Sequence, residues 1–508
     1  MALPLPSFAR TIVANLLILG VALLSPPVQA ASTTSTTLSS SSNPSIAGTA
    51  VTFTATVAGS AGGTGAGAVT FSDGATSIGT ATLGASGSSR AISAGDDHTC
   101  ALVSGGAVQC WGFNYAGQLG NGTMANSSTP VEVTGLSSGV VAIASGGTHT
   151  CAVTPGGGVS CWGSNDAGQL GNNTTARGTT PVEVTGLPSP VVAIAAGRYF
   201  TCALTTDAVV LCWGRNVEGE LGNGSTANSS APVQVSGLSG VTAITGGGYH
   251  ACALTSGGGV ECWGSNEFGQ IGSSTATTSS TPIGVPTLSS GVAAIDAGGY
   301  HTCVVTSAGG VECWGWNSNG QLGDGSTTSS PTPVAVSNLS SGVAAVSAGV
   351  YYTCAMTSGG GVRCWGNNLD GELGNNSRTS SSTPVDVIGL ASGAEEIAAG
   401  GFHVCARTPD GSAQCWGVIA YGQASTTSAT PGAVSGFSDP ARATATLTTS
   451  TLPVGDHSIT ARFEGDDAHR TSTSAVLVQS VTKASTTTSL AGNSSRVACG
   501  EPLTLTAT

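Results

Sequence analysis

Gly146-Gly147-Thr148-His149-Thr150-Cys151-Ala152-Val153, followed shortly by Cys161-Trp162-Gly163-Ser164-Asn165-Asp166-Ala167-Gly168-Gln169-Leu170-Gly171, is the stretch on which the fold turns. The same frame returns along the chain. Its cysteines stand at Cys100 and Cys110, Cys151 and Cys161, Cys202 and Cys212, Cys252 and Cys262, Cys303 and Cys313, Cys354 and Cys364, and Cys405 and Cys415, ten residues apart within a pair and 50 or 51 from pair to pair. Trp-Gly follows every second cysteine, at Trp111, Trp162, Trp213, Trp263, Trp314, Trp365 and Trp416. A fixed period of this length signals a propeller or solenoid, in which each unit buries its apolar face against the next.

The first unit shows the local structure. Ala91-Ile92-Ser93-Ala94-Gly95 leads to Thr99-Cys100-Ala101-Leu102, a Ser104-Gly105-Gly106 turn, Val108-Gln109-Cys110-Trp111, a Gly-rich loop and Pro130-Val131-Glu132-Val133. These are four short strands bounded by Gly, Ser and Pro, with no helical period. Four strands per unit and seven units predict an all-β chain with a seven-bladed β-propeller over residues 86–440.

Spacing also bears on the cysteine chemistry. A hairpin centred on Gly105 sets Cys100 opposite Cys110, and opposed Cα atoms of an antiparallel pair lie about 4.5 to 5.5 Å apart, within disulfide reach. Zinc would find only two ligands per pair and no short Cys-x2-Cys clip. The seven pairs therefore read as disulfides within hairpins, each closing a loop of about eleven residues and worth on the order of 3 kcal/mol in the chain-entropy model.

Gly-x-x-His-Thr-Cys-Ala-Leu followed by Cys-Trp-Gly-x-Asn-x-x-Gly-Gln-Leu-Gly, as in Gly146 to Val153 and Cys161 to Gly171, resembles the repeat of the regulator of chromosome condensation family in an exported, cysteine-bearing form, over residues 88–437. The resemblance implies a seven-bladed propeller. The last repeat departs from the pattern: Gly417 to Ser425 lacks the Asn and the Leu-Gly, and its Trp-to-Pro interval is 15 against 19 elsewhere, which predicts a shortened closing blade. Similar propellers act as nucleotide-exchange factors on a small GTPase bound to chromatin, as plant ultraviolet-B receptors and as secreted inhibitors of β-lactamases. The first role conflicts with the acidity and export of this chain. The second needs tryptophans where this chain has Thr148, Tyr199, Tyr249, Tyr300 and Tyr351. The secreted inhibitor fits as an analogue at the level of fold alone.

Composition sets limits on function. The 508 residues include 77 Gly, only 8% are charged, and 13 basic against 26 acidic residues leave a net charge of −13. That balance offers no electrostatic footprint for nucleic acid or an anionic membrane. Arg10, the apolar run Thr11 to Leu24, Ser25-Pro26-Pro27 and the small-residue exit Val28-Gln29-Ala30 form a signal-peptide pattern over residues 1–30. As a helix the apolar run rises about 21 Å, short of the roughly 30 Å hydrocarbon core. A secreted or cell-surface protein without a membrane span is expected, in a compartment where disulfides persist.

The segments flanking the repeats are Thr-rich and alternate with period two. Val51 to Thr56 and Val69 to Phe71 precede them, and Ala445 to Leu447 and His457 to Phe463 follow. Residues 31–85 and 441–482 together number 97, close to the roughly 100 of an immunoglobulin-like β-sandwich. Leu490 and Gly500 to Thr508 repeat Leu38 and Gly48 to Thr56 at an offset of 452, and removing residues 86–440, which number 355, again leaves 97. The expectation is a propeller inserted in a sandwich that resembles bacterial immunoglobulin-like repeats, with Gly465-Asp466-Asp467-Ala468 at their Gly-Asp turn. Residues 483–508 would begin a second, truncated sandwich in which the partner of Cys499 is missing.

No catalytic constellation, cofactor or metal site is expected. His98, His149, His250, His301 and His403 share one register, but Phe200 and Tyr352 occupy it in the other repeats, so the slot takes a flat, partly buried ring. Asp96-Asp97, Glu395-Glu396 and Asp466-Asp467 read as solvated turn residues. Variation concentrates between Trp-Gly and Gly-Gln, at Phe113 and Tyr115, Asp166, Arg215 and Glu218, Glu267 and Phe268, Trp316, Leu369 and Asp370, and Tyr421. Fixed frames with aromatic and charged tips suit partner recognition, though ordinary surface drift gives the same pattern. Phe113, Tyr115, Arg215, Phe268, Trp316 and Tyr421 are the binding candidates. The expected function is non-enzymatic binding of a protein or surface glycan by a monomeric propeller. The alternatives are a secreted enzyme inhibitor, a structural surface spacer, a guanine-nucleotide exchange factor and a propeller hydrolase or lyase.

Overall fold

Short runs of β-branched, small and aromatic residues, each ended by Gly or a Ser/Thr turn, make every described element a strand. The computed structural model describes residues 34–59, 67–85, 91–274, 277–408, 411–418, 428–437, 442–465, 470–483, 490–492 and 505–507. Residues 1–30, Tyr421, Asp466 to Ala468 and Cys499 lie outside these. Among the described residues no helix is long and apolar enough to cross a membrane.

Among the described residues, seven four-stranded antiparallel sheets follow one another between Ala91 and Ala433. In the second, the strands Ala142–Ser145, His149–Val153, Val159–Gly163 and Gly178–Glu183 lie side by side in chain order. Its two middle strands are almost wholly buried, and Cys151 stands directly opposite Cys161. All seven cysteine pairs are bonded, with Cα atoms 4.0–4.1 Å apart, closer than the 4.5 Å lower bound expected from strand geometry alone.

Each sheet is fastened to the next by a buried tryptophan. Trp162 Nε1 donates to the carbonyl of Gln118 in the loop of the preceding repeat at 2.9 Å, and Trp213, Trp314 and Trp365 repeat the contact on Gln169, Gln270 and Gln321. Trp263 and Trp416 use Glu220 and Glu372. The indole packs so closely on the loop before it that a Cβ on Gly120, already at φ +67°, would sit 2.7 Å from Trp162 Nε1. Apolar contacts cross the same boundary, where Trp162 and Ala152 join Cys100, Leu102 and Val108 in one cluster.

The histidine register adds a second fastening. Nε2 of His98, His149, His250, His301 and His403 lies 2.8–2.9 Å from the hydroxyl of Thr150, Thr201, Thr302, Thr353 and Thr99. The last bond ties the seventh sheet to the first, and Gly401 N to Gly95 O and Ile92 N to Glu396 Oε2 close the same junction. Thr150, Thr201, Thr302 and Thr353 donate their one hydroxyl proton to the carbonyls of Gln118, Gln169, Gln270 and Gln321. They therefore accept from the imidazole, so Nε2 carries the hydrogen.

The departures from histidine come in matched pairs. Phe200 packs on Ala251 where other sheets have threonine, and Tyr352 packs on Val404. The Tyr352 hydroxyl reaches the backbone carbonyls of Gly400 at 3.0 Å and His403 at 2.5 Å instead. The slot expected to hold a partly buried ring is fully buried, and its occupant is set by the residue facing it in the next sheet.

The flanking segments form two sheets that share a core. One orders Thr34–Ser40, Val51–Gly59, Arg442–Thr449 and Gly84–Ala85. The other orders Ser45–Ile46, Leu477–Thr482, Gly455–Phe463, Ala68–Asp73 and Thr76–Thr82, with Ser472–Thr473 alongside Gly455–Phe463. Val51 to Ala58 pair with Arg442 to Thr449, and Val69 to Asp73 with Ile459 to Phe463, so chain from before and after the repeats shares both sheets. Phe53, Phe71, Ile459 and Phe463 are fully buried between them. The short pair Leu490–Gly492 and Leu505–Ala507 opposes Leu490 to Ala507 as Leu38 opposes Ala55, the same register displaced by 452 residues (490 − 38 and 507 − 55).

Replacing His301 by Phe removes the donor to Thr353 and is expected to destabilise the protein by about 1–3 kcal/mol. Adding Thr353→Ala, which copies Phe200 and Ala251, should recover part of that loss in a double-mutant cycle of denaturant unfolding. Strictly additive losses would refute the pairing. Burial holds these imidazoles neutral, down to about 3 for His98, His250 and His301 and about 4 for His149 and His403. An unfolded histidine protonates near 6.5, so the stability they carry is complete above that pH and lost as pH falls toward 3. The double variant should show a shallower acid limb than its parent, since all carboxylates are common to both.

Candidate functional site

The innermost strands surround a channel of about 330 Å³, lined mainly by Gly, Ala and Ser. Several polar side chains on this lining tie one sheet to the next. Ser93, Thr245, Asp296 and Ser347 accept from the amides of Ser145, Ala297, Ala348 and Ala399 at 2.8–3.1 Å. Asp296 also accepts from the Thr245 hydroxyl, and Glu396 from the Ile92 amide at 3.0 Å. Burial pushes the Asp296 carboxyl up and that of Glu396 to about 7, with Arg407 pulling Glu396 the other way. Glu396 was expected to be a solvated turn residue; it lies in a strand, where its carboxylate supplies an acceptor that the adjoining sheet edge lacks. Among the described residues no group of three or more His, Cys, Asp or Glu is placed to hold a metal.

At one mouth of the channel the inner strand of each repeat turns into the histidine strand. The residue just before the histidine register is Tyr199, Tyr249, Tyr300, Tyr351 or Phe402 in five consecutive repeats. The loop after Trp-Gly folds back onto this position through the backbone. Arg215 N donates to Tyr199 O, Ser265 N to Tyr249 O, Trp316 N to Tyr300 O and Asn367 N to Tyr351 O, at 2.8–3.0 Å. Loop tips and tyrosines are thereby held side by side.

The rings form an arc. Tyr199, Tyr249, Tyr300, Tyr351 and Phe402 follow one another at centroid separations of 5.6–6.4 Å. Trp316 stands edge-on to Tyr300 at 5.5 Å and to Tyr351 at 5.2 Å, and Phe268 touches both Tyr300 and Trp316. Arg215 lies over Tyr249 at 5.0 Å and Arg198 over Tyr199 at 5.6 Å, within cation–π range. Three of the sequence candidates, Arg215, Phe268 and Trp316, thus meet in one surface. Phe113 and Tyr115 pair with each other at 4.8 Å on the loop of the first repeat. Tyr421 lies outside the described residues. The tyrosines and Phe402 were not among the binding candidates, although an aromatic recurring directly before the ring register was visible in the sequence.

The arc borders a polar sector in the first three repeats. Asp96 and Arg198 form an ion pair at 2.8 Å across Gly147, where a Cβ would sit 2.9 Å from the Arg198 side chain and 3.1 Å from that of Asp96. Burial raises Asp96, and burial with the neighbouring Asp96 charge raises Asp97 to about 6. These two were expected to be solvated. They are drawn in because the channel mouth packs them against the third repeat.

The tip loops of the first six repeats have a fixed internal frame built on an asparagine. Asn114 Nδ2 donates to the carbonyls of Thr123 and Ala125, and its Oδ1 accepts from Leu119 N at 2.9 Å. Asn165, Asn216, Asn317 and Asn368 do the same in their own loops. Gln118 Oε1 accepts from Ala116 N. The residue at this last position is matched to the tip five residues earlier. Glu220 accepts from the Arg215 guanidinium and Glu372 from the Asn367 amide, while Gln118, Gln270 and Gln321 accompany the tips Phe113, Ser265 and Trp316. Burial raises the carboxyl of Glu220 above its ordinary value, with backbone amides of the loop and the Arg215 guanidinium in contact with it acting the other way.

Glu220→Gln is therefore expected to loosen Arg215, which also lies 3.6 Å from Glu218, from its place over Tyr249 and to destabilise the protein by about 2 kcal/mol through the lost charged hydrogen bond. Adding Arg215→Ser, which copies Ser265 with Gln270, should restore most of the loss in denaturant unfolding. No restoration would mean that Glu220 acts through something other than Arg215.

Known proteins share this arrangement of repeats. The RCC1-like domain family matches residues 48–342 and 133–449. The ultraviolet-B receptor UVR8 of Arabidopsis thaliana is 31% identical over 337 residues, covering 65% of this chain and 66% of the receptor. The mitochondrial RCC1 domain-containing protein RUG3 of the same plant is 33% identical over 295 residues, covering 56% of this chain and 55% of its own. The human E3 ubiquitin-protein ligase HERC2 is 32% identical over 322 residues, 62% of this chain but 6% of the ligase. The chain thus spans less than two thirds of the length of each relative. Among solved structures, yeast RCC1 (Prp20) bound to Kap60 superposes with a TM-score of 0.59 at 19% identity, over 71% of this chain and 89% of that one. Human WBSCR16 superposes at 0.54 and 22% identity, over 64% and 88%. With the matched stretches running together from residue 48 to 449, the chain belongs to the RCC1-like domain family.

Proposed function

We propose that this is an exported, non-enzymatic binding protein that holds a protein ligand on its aromatic arc. In this reading residues 1–30 are a signal peptide, and residues 86–440 are a seven-bladed propeller inserted into an immunoglobulin-like sandwich built from 31–85 and 441–482. Residues 483–508 begin a further sandwich. The strand pairs of Val51–Gly59 with Arg442–Thr449 and of Ala68–Asp73 with Gly455–Phe463 support the insertion. Seven disulfides support an oxidising compartment.

The observation that carries the reading is the arc itself. Aromatic rings held by loop backbone lose little conformational freedom on binding, and such rings dominate interface energetics. The carboxylates on the channel lining accept bonds from neighbouring sheets, a structural employment that favours binding over catalysis. An enzyme surface is one protein ligand of the right kind, in line with the secreted-inhibitor analogue. A spacer role predicts no captured ligand.

The test is capture from the native environment by the parent and by a Tyr300→Ala, Trp316→Ala, Tyr351→Ala variant whose unfolding profile matches the parent. The variant should lose affinity for the captured protein by tenfold or more, as expected when hot-spot aromatics worth about 2 kcal/mol or more are removed. Equal capture by both proteins would sink the arc as the binding surface. Binding to a glycan array without capture of any protein would replace the protein ligand with a carbohydrate one.

A further inference from the structure

His457 occupies the seam where chain from before and after the repeats meets. It lies in the strand Gly455–Phe463, which pairs with Ala68–Asp73 and with Leu477–Thr482. Its Nδ1 is 2.6 Å from Asp73 Oδ2 and its Nε2 is 2.9 Å from the carbonyl of Pro453. The other Asp73 oxygen accepts from the Ser458 amide at 3.0 Å, so one carboxylate grips the opposing strand twice.

A backbone carbonyl only accepts, so Nε2 must donate to Pro453. Nδ1 faces a carboxylate, which also accepts. A neutral imidazole carries a single N–H and satisfies one of these partners; the imidazolium satisfies both. The charged groups facing the ring among the described residues are Asp73 from the opposing strand and Asp456 from its own strand, both acidic, and Asp456 is itself bonded to the Ser480 hydroxyl. The residue opposite His457 in the Leu477–Thr482 strand is the neutral Gln479.

We propose that His457 and Asp73 form a protonation-dependent clamp that locks this seam while the ring is charged and loosens it as the pH rises. The Pro453 carbonyl, and then the Asp73 carboxylate, raise the histidine above its ordinary value, with burial acting weakly against them. A histidine raised on folding contributes stability that is fully present below its unfolded value near 6.5 and is lost as pH rises through the folded value. This is the reverse of the ring histidines, which lose their contribution toward acid.

The clamp is tested on the full chain by two independent measurements. Nitrogen-15 NMR of the imidazoles should show His457 with both nitrogens protonated at pH 7 and titrating above the ordinary histidine range. A neutral ring at pH 7 overturns the proposal, and this result needs no variant to fold. Hydrogen exchange, corrected for intrinsic rates, should show amides of 68–73 and 455–463 losing protection between pH 6 and pH 9, about tenfold for each unit by which the histidine is raised. In Asp73→Asn the same loss should move to lower pH, and in His457→Gln protection should be low at both. Equal protection at pH 6 and 9 in the parent overturns the proposal.

Discussion

At four of the boundaries one carbonyl oxygen, on Gln118, Gln169, Gln270 or Gln321, accepts at once from the indole and from the threonine hydroxyl of the following sheet. The threonine in turn accepts from the histidine of the preceding sheet, so three buried polar groups satisfy one another across every such boundary. Breaking any member strands the others away from water, a cost of about 1–3 kcal/mol for each group left unmade. The disulfides hold each hairpin together inside its sheet; this relay holds sheet to sheet. The bond from His403 to Thr99 extends it across the junction between last and first.

The same residue serves display. The backbone oxygen of the Gln or Glu carries the relay to the next sheet, while its side chain braces the loop of its own repeat and, where it is Glu, grips the tip residue five positions earlier. Stability and presentation share one residue, so a matched change from Gln to Glu lets the tip differ among Phe113, Arg215, Ser265, Trp316 and Asn367 without loss of the frame. Loop backbone that returns to the tyrosine carbonyls then places those tips against the arc.

Histidine has two opposed employments in this chain. In the ring, deep burial keeps the imidazole neutral, and among the described residues Nδ1 has no hydrogen-bond partner at His98, His149, His250 and His301. In the flanking sheets, acceptors on both sides of His457 call for the charged ring. The environment, not the residue type, decides the protonation state.

The cysteine spacing, the Trp-Gly repeats and the period of 50 or 51 residues were enough to predict repeated four-stranded sheets and their disulfides, because a hairpin of fixed length leaves its two cysteines only one way to face. The pairing of ring residues was also present in the sequence, as Phe200 with Ala251, Tyr352 with Val404 and histidine with threonine elsewhere. It was not legible there, because partners some fifty residues apart become neighbours only when the sheets stack. The channel carboxylates Asp96 and Glu396, and Asp97 beside them, escaped for the same reason: they look like surface charges until neighbouring repeats half-bury them. The sequence by itself determined the repeat, its strands and its cross-links, all set by contacts within about fifty residues. Only the tertiary structure decided which side chains share a surface, since Tyr300, Tyr351, Phe268 and Trp316 meet through packing between sheets that no local pattern encodes.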